Sequence, residues 1–190
     1  MKPATWIVIG VLVAIVLYAI AIYNRLVRQR NMVREGWSGI DVQLKRRTDL
    51  VPNLVETVKA YAEHERGVFE EVAAKRASSI AANSVQGQAS AEQALRGALG
   101  RLFAVAEAYP ELKANKNFLE LQQQLATIED QLQMARRYYN GSVRNLNISI
   151  QSFPNNVMAG MLGFRPEPFF ELEDRASGAA PTVTFAPGKP

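Results

Sequence analysis

His64 is the only histidine in the chain, so it is the first residue to test for chemistry. A ferritin-like di-iron bundle draws on two Glu-x-x-His pairs. One histidine cannot supply them, and Tyr61 stands where His64 would need a glutamate. A three-histidine zinc site is excluded, and no Asp-rich loop of EF-hand spacing occurs. Between Glu63 and Glu65, His64 reads as an exposed or surface-paired side chain on a helix. The chain has no cysteine, which removes disulfides, thiolate catalysis and thiolate zinc sites. Gly-x-x-x-x-Gly-Lys, Gly-x-Gly-x-x-Gly and Gly-x-Ser-x-Gly are all absent. Ser142 and Ser149 fall on a helical seam, where packing accounts for them. The pairs Glu70-Glu71 and Glu173-Asp174 read as solvated charge rather than as an acid–base couple. No catalytic residue, cofactor or metal is expected.

Two clusters are more promising as contact surfaces. Asp41, Lys45, Arg46, Arg47, Asp49 and Asn53 place several charges among apolar residues over 41–54. Asp41 and Lys45 are four apart and can pair on one helix face. The arginines can brace a helix junction through carbonyls or acids, or the cluster can receive a partner. The second cluster is Tyr138, Tyr139 and Asn140, followed by Asn145, Asn147, Asn155 and Asn156. Tyrosines and asparagines at the edge of a seam can lock an adjoining helix or recognise a peptide. Both readings stand at this stage.

The elements that hold these residues begin with a membrane helix. Trp6 to Tyr23 is an unbroken run without a charge. At 1.5 Å per residue it makes a helix roughly 27 Å long, close to the bilayer's hydrocarbon core of about 30 Å. Lys2 precedes it, and Arg25, Arg28, Arg30 and Arg34 follow. That bias predicts a single-pass protein of the cytoplasmic membrane, with the N-terminus outside and the long C-terminal part inside. Ala19-Ile20-Ala21 resembles a signal-peptidase site, but the five-residue n-region and long apolar run fit a cleaved signal poorly. The whole-chain charge is +4. The basic clusters suit anionic headgroups, and no module for nucleic acid accompanies them.

Beyond the span, 24–152 reads as helix. Val33, Trp37, Ile40 and Leu44 lie on one face, and this helix can continue directly out of the membrane. Asp49 can cap a new helix with Pro52 in its first turn, or one continuous helix kinks there. The next helix is expected over about 50–80, then a loop over 81–89. Ser90 with Gln93 reads as a capping box opening a helix to about Tyr109, and Asn117 with Glu120 as a second. Phe118, Leu121, Leu125, Ile128, Leu132, Ala135 and Tyr139 begin a heptad seam that Ser142, Leu146 and Ser149 continue. Val143 and Ile150 can take over where the serines weaken it. Phe153-Pro154 ends that helix. A short helix from Asn155 to Leu162, stopped by Gly163, completes the pattern. The expected fold is all-α: a transmembrane helix followed by an antiparallel bundle of long helices. The divisions are 1–5, a short leader; 6–23, the span; 24–172, the bundle; and 173–190, a disordered tail.

Several strings are more specific than any pattern. Ile40-Asp41-Val42-Gln43-Leu44-Lys45-Arg46-Arg47 and Asp49-Leu50-Val51-Pro52-Asn53-Leu54-Val55 are two. Ala108-Tyr109-Pro110-Glu111-Leu112-Lys113-Ala114-Asn115 is a third, with Tyr138-Tyr139-Asn140, Phe153-Pro154 and Phe169-Phe170 beyond it. By these the chain resembles the LemA family of bacterial membrane proteins over about 20–172. It departs at Gly36, where the family usually has alanine before the tryptophan. The resemblance implies a membrane helix carrying a cytoplasmic helical bundle and carries over no catalytic residue. It also implies an accessory role beside other membrane proteins, a membrane metalloprotease among them. The expectation is a membrane-anchored scaffold or adaptor. Lipid or envelope-precursor binding and a carboxylate-dependent enzyme are the alternatives. The partners expected are the phospholipid bilayer and membrane proteins, with no nucleic acid, and homo-oligomerisation through an apolar stripe remains open.

Overall fold

One helix runs without interruption from the membrane segment into the bundle. This is α1, Pro3–Lys59, 57 residues and about 85 Å long. It belongs to a computed structural model that describes residues 3–171; the tail expected over 173–190 lies outside the described residues. The first part of α1 has a mean hydropathy of 2.7, and its apolar side chains are almost all uncovered by protein. The uncovered apolar length is what a bilayer requires. The chain is a single-pass membrane protein with an all-α fold. Protein packing starts at the last turn of the span, where Ile22 and Leu26 are buried.

The rest of the bundle is α2 (Arg66–Ala81), α3 (Val85–Glu107), the single turn α4 (Pro110–Lys113), α5 (Lys116–Gln151) and α6 (Asn155–Met161). Helices α1, α2, α3 and α5 alternate in direction. Arg76 reaches Thr48, Glu71 pairs with Arg101, and Arg96 lies beside Glu129, which ties each neighbouring pair antiparallel. The α2–α3 hairpin covers only the half of α1 far from the membrane. Two apolar clusters result. The distal one contains Val51, Leu54, Val58, Leu95, Leu99, Leu102 and Leu125. The proximal one contains Leu26, Val33, Ile40, Leu132, Tyr139, Val143 and Leu146, with Phe164 and Phe170 from an extended segment after α6. Fully burying each such Leu or Val contributes about 1.5–3 kcal/mol.

Helix α5 follows the expected heptad. Phe118, Leu125, Ile128, Leu132, Tyr139, Ser142, Leu146 and Ser149 are buried, and Val143 and Ile150 share the load where the serines fall. Helix α6 and the left-handed Gly163 (φ 71°) also lie as expected. Several boundaries differ. The chain starts no new helix at Asp49: α1 passes through Pro52 and ends at Lys59, and the break falls over 60–65. Pro52 has no N–H for the carbonyl of Thr48 four residues back. Arg76 of α2 donates its Nε–H to that carbonyl instead, at 2.7 Å. A donor from a neighbouring helix thus satisfies the group that proline orphans, and α1 has no reason to stop. His64 consequently sits in the turn, exposed, rather than on a helix.

The capping expectations moved as well. Ser84 caps α3, its Oγ accepting from Gly87 N at 3.1 Å, so the loop shrinks to 82–84 and Ser90 and Gln93 lie inside the helix. Asn115, not Asn117, caps α5, its Oδ1 accepting from Phe118 N at 3.2 Å. In both cases the earlier residue reaches the free N–H groups first, and the second candidate already has helical neighbours on both sides. Gly36 marks a close approach of α1 and α5: a Cβ there would stand 2.9 Å from the Cα of Tyr139. The glycine lets the two backbones approach more closely than alanine would.

Candidate functional site

Helical periodicity divides the first candidate cluster in two. Leu44, Arg47, Thr48, Val51 and Leu54 point into the bundle, whereas Asp41, Lys45, Arg46, Asp49 and Asn53 are exposed on its outside. On that outer face Lys45 pairs with Asp49 at 3.2 Å, not with Asp41. Both groups are well solvated, so the pair adds at most a few tenths of a kcal/mol. Arg46 Nη1 donates to Gln131 Oε1 of α5 at 3.5 Å. It borders an open cleft of about 470 Å³ between α1 and α5, lined by Asp49, Leu50, Gln124, Thr127 and Ile128. A second concavity of about 250 Å³ lies where Asp41, Lys45 and Asp49 meet the α2–α3 hairpin.

Arg47 is buried. Its Nη1 donates to Glu92 of α3 at 3.1 Å, and its Nη2 donates to Glu129 of α5. Glu92 also accepts from Ser79 Oγ of α2 and from Gln88 Nε2 at 3.3 Å. Arg96 Nη1 stands 3.9 Å from Glu129. The planar guanidinium fork presents donors to two acids at once, which a lysine ammonium could not match. Residues from α1, α2, α3 and α5 therefore meet in one polar layer between the two apolar clusters. The charges balance, two arginines against two glutamates. Sequence reasoning had placed Arg47 but not its partners. The signal was available: Glu92 continues the buried stripe of Ala89, Leu95 and Leu99, an unusual place for an unpaired acid.

The second cluster binds the chain's own C-terminal segment. Residues 164–170 run in extended form along α1 and α5. Asn140 donates to the carbonyl of Phe170 at 3.1 Å and accepts from its N–H at 2.9 Å. Asn147 makes the same pair with Glu167, both at 2.9 Å. Tyr139 donates its phenol to the carbonyl of Pro168 at 2.9 Å. The two asparagines are one heptad apart. Seven helical residues rise about 10.5 Å, and the three residues from Glu167 to Phe170 span about 10 Å when extended. The repeat of the helix thus matches the pitch of the strap. Each amide imitates a neighbouring strand and reads main chain only.

The ends of the strap are fixed by its side chains. Phe170 lies 6.1 Å from Trp37, with the Arg136 guanidinium over its ring, 5.2 Å from the ring centre. Phe164 meets Tyr23 edge-on at 6.4 Å, with Arg30 4.9 Å from its ring centre. Burial, helped by the nearby Glu167 carboxylate, pushes the Tyr139 phenol up to about 12. Burial also lowers the Arg136 guanidinium, with Arg96 adding to the effect and Glu129 opposing it. Tyr138 stays exposed, its hydroxyl 3.4 Å from Glu35. Of the nine residues singled out, Asp41, Lys45, Arg46, Asp49, Asn53 and Tyr138 are open to solvent. Arg47 and Tyr139 are buried, and Asn140 bonds inward. Among the described residues no group of three His, Asp or Glu side chains is placed to hold a metal.

The sequence matches a family model and several known proteins. The model of the LemA family matches residues 36–185. Magnetosome protein MamQ of Magnetospirillum gryphiswaldense is 26% identical over 199 residues, covering 91% of this chain and 72% of that protein. Magnetosome protein MamQ 2 of Paramagnetospirillum magneticum is 27% identical over 188 residues, covering 85% and 68%. Protein LemA of Metamycoplasma hominis is 26% identical over 156 residues, covering 80% and 69%.

Proposed function

This chain belongs to the LemA family of bacterial membrane proteins, and from that premise we propose that it is a scaffold or adaptor for other membrane or envelope proteins. The observation that carries the reading is α1 itself. One unbroken helix spans the membrane and forms a wall of the bundle, so the bundle is held at a set distance from the bilayer. Tethering raises the effective concentration of its surface for partners in the same membrane. The surface offered is the outer α1–α5 face, where Arg46 and Asp49 border the 470 Å³ cleft and Asp41, Lys45 and Asn53 extend it. Charged residues around an apolar floor of Leu50 and Ile128 suit a protein partner. The four arginines after the span support a bundle on the cytoplasmic side. A membrane metalloprotease is one such partner, by the association implied in the resemblance.

Crosslinking with mass spectrometry in native membranes tests the reading. We expect reproducible crosslinks from the α1–α5 face to one or a few membrane proteins. Arg46→Glu with Asp49→Lys should remove them while helical content stays unchanged. Failure to recover any reproducible membrane partner would overturn the proposal. Topology has its own test: Gly178→Cys is a unique thiol, and labelling by an impermeant reagent in intact cells would place the bundle outside.

A further inference from the structure

The end of the bundle nearest the membrane carries an apolar face that the protein does not cover. In α6 and the turn before it, Phe153 is 83% exposed and Met161 78% exposed, with Val157 and Leu162 also open. Val157 and Met161 lie four apart on one face of α6, and Phe153 stands exposed in the turn that leads into it. The opposite side of α6 is occupied: Ala159 is buried and Met158 packs against the proximal core. The side of α6 that carries Val157 and Met161 thus has no apolar cover from the protein.

The register of α1 and α5 shows which medium lies there. Gly36 faces Tyr139, and Gly39 faces Ala135. The fourteen residues from Gly36 back to Ile22 therefore correspond to the fourteen from Tyr139 on to Phe153. Ile22 is in the last turn of the membrane span. The edge contact of Phe164 with Tyr23 places the chain after α6 at the same level independently. The exposed face stands at the height of the bilayer boundary.

Charge at this level fits the same surface. Residues 24–44 and 131–171 form the proximal half of the bundle and contain eight arginines against four Asp and Glu. Residues 45–130 carry eleven Lys and Arg against twelve Asp and Glu. The excess positive charge is thus confined to the end nearest the lipid. Arg25, Arg28 and Arg165 are exposed there, and Arg25 and Arg28 line a concavity with Ala21, Asn24 and Gln29. Cations flanking an apolar face are the pattern of an interfacial helix, and anionic headgroups attract them.

We propose that α6 is a membrane foot: Phe153, Val157 and Met161 insert at the headgroup–acyl boundary of the bilayer that holds α1, with the surrounding arginines on anionic headgroups. The bundle then has two attachments to the membrane, the span and the foot, and cannot swing about α1. This rests on the transmembrane helix and not on the scaffold reading, so either can fail without the other.

The test uses the full chain reconstituted into vesicles of phosphatidylcholine with phosphatidylglycerol. The native protein lacks cysteine, so Phe153→Cys, Val157→Cys and Met161→Cys each give a unique site for a fluorescent probe, with Asn83→Cys on the hairpin as control. Lipids bearing a nitroxide about 5–10 Å below the headgroups should quench the three foot probes. The control probe should remain open to aqueous iodide and unaffected by the lipid nitroxide. Phe153→Cys lies outside α6 and keeps the test valid if a helix variant unfolds. Foot probes open to iodide and unquenched by lipid would overturn the proposal. So would protection that disappears on diluting protein in lipid, since that would mean a second copy covers the face.

Discussion

Arg47 joins α1 to α3 and α5, and Ser79 brings in α2 through Glu92. Its two acids are buried or half-buried, so removing it leaves Glu92 without its cation in an environment that cannot solvate it. Arg47→Met should destabilise the bundle by about 3–5 kcal/mol, read by chemical unfolding of the full chain in detergent. Arg47→Met with Glu92→Leu should recover most of that loss, because the orphaned charge goes with its partner. Equal loss in the single and double variants would show that packing, not charge pairing, holds the layer. Tyr139 gives a pH prediction. With its phenol raised to about 12, the folded chain keeps a proton that the unfolded chain releases near its ordinary value of about 10. The contribution of the neutral phenol is therefore complete below about pH 10 and lost as pH rises towards 12. In an ultraviolet titration the late-ionising fraction of tyrosine should be clearly smaller in Tyr139→Phe than in the native chain.

At the scale of elements, α1 depends on α2 for its continuity. Arg76→Leu removes the donor to the Thr48 carbonyl and should cost about 1–3 kcal/mol. Pro52→Ala restores an intrahelical N–H for the same carbonyl. On the Pro52→Ala background the Arg76→Leu cost should shrink clearly, which a double-mutant cycle measures. Additive costs would mean that Arg76 acts elsewhere. Pairing of α1 with α5 has its own requirement at Gly36, where the approach of Tyr139 leaves no room for a Cβ. A family member with alanine there must hold the two helices further apart.

Seen whole, the molecule is built in two storeys. Four helices close the distal storey, whereas α1 and α5 need α6 and the strap to close the proximal one. Deleting 164–190 should therefore expose Leu26, Val33, Ile40 and Tyr139 without opening the distal cluster. Hydrogen exchange of the full chain and the truncated chain in nanodiscs measures this. We expect faster exchange over 26–44 and 132–150 after truncation, with 51–58 and 95–106 still protected. Uniform acceleration through the bundle would show one cooperative unit instead. The same two-storey plan explains the charge distribution: the storey nearest the lipid carries an excess of arginine, and the mixed charges lie where α2 and α3 meet water.

The span, the long α5 and the stop at Gly163 could be read directly from the chain. Each rests on a signal within its own segment: a charge-free run as long as a bilayer, a seven-residue apolar repeat, and a residue free to take positive φ. The outward position of Asp41, Lys45 and Asn53 likewise follows from helical spacing. Tertiary structure decided what each inward face meets. Glu92 and Glu129 come to Arg47 from 45 and 82 residues away. Asn140 and Asn147 meet a strap that local pattern did not distinguish from a loop. Pro52 stays inside a helix because Arg76 supplies the missing donor. Periodicity states which side of an element must be covered. The covering group is chosen by packing among segments distant in sequence, and that is why the brace and the strap emerged only from the folded chain, which also decided between a new helix at Asp49 and one continuous α1.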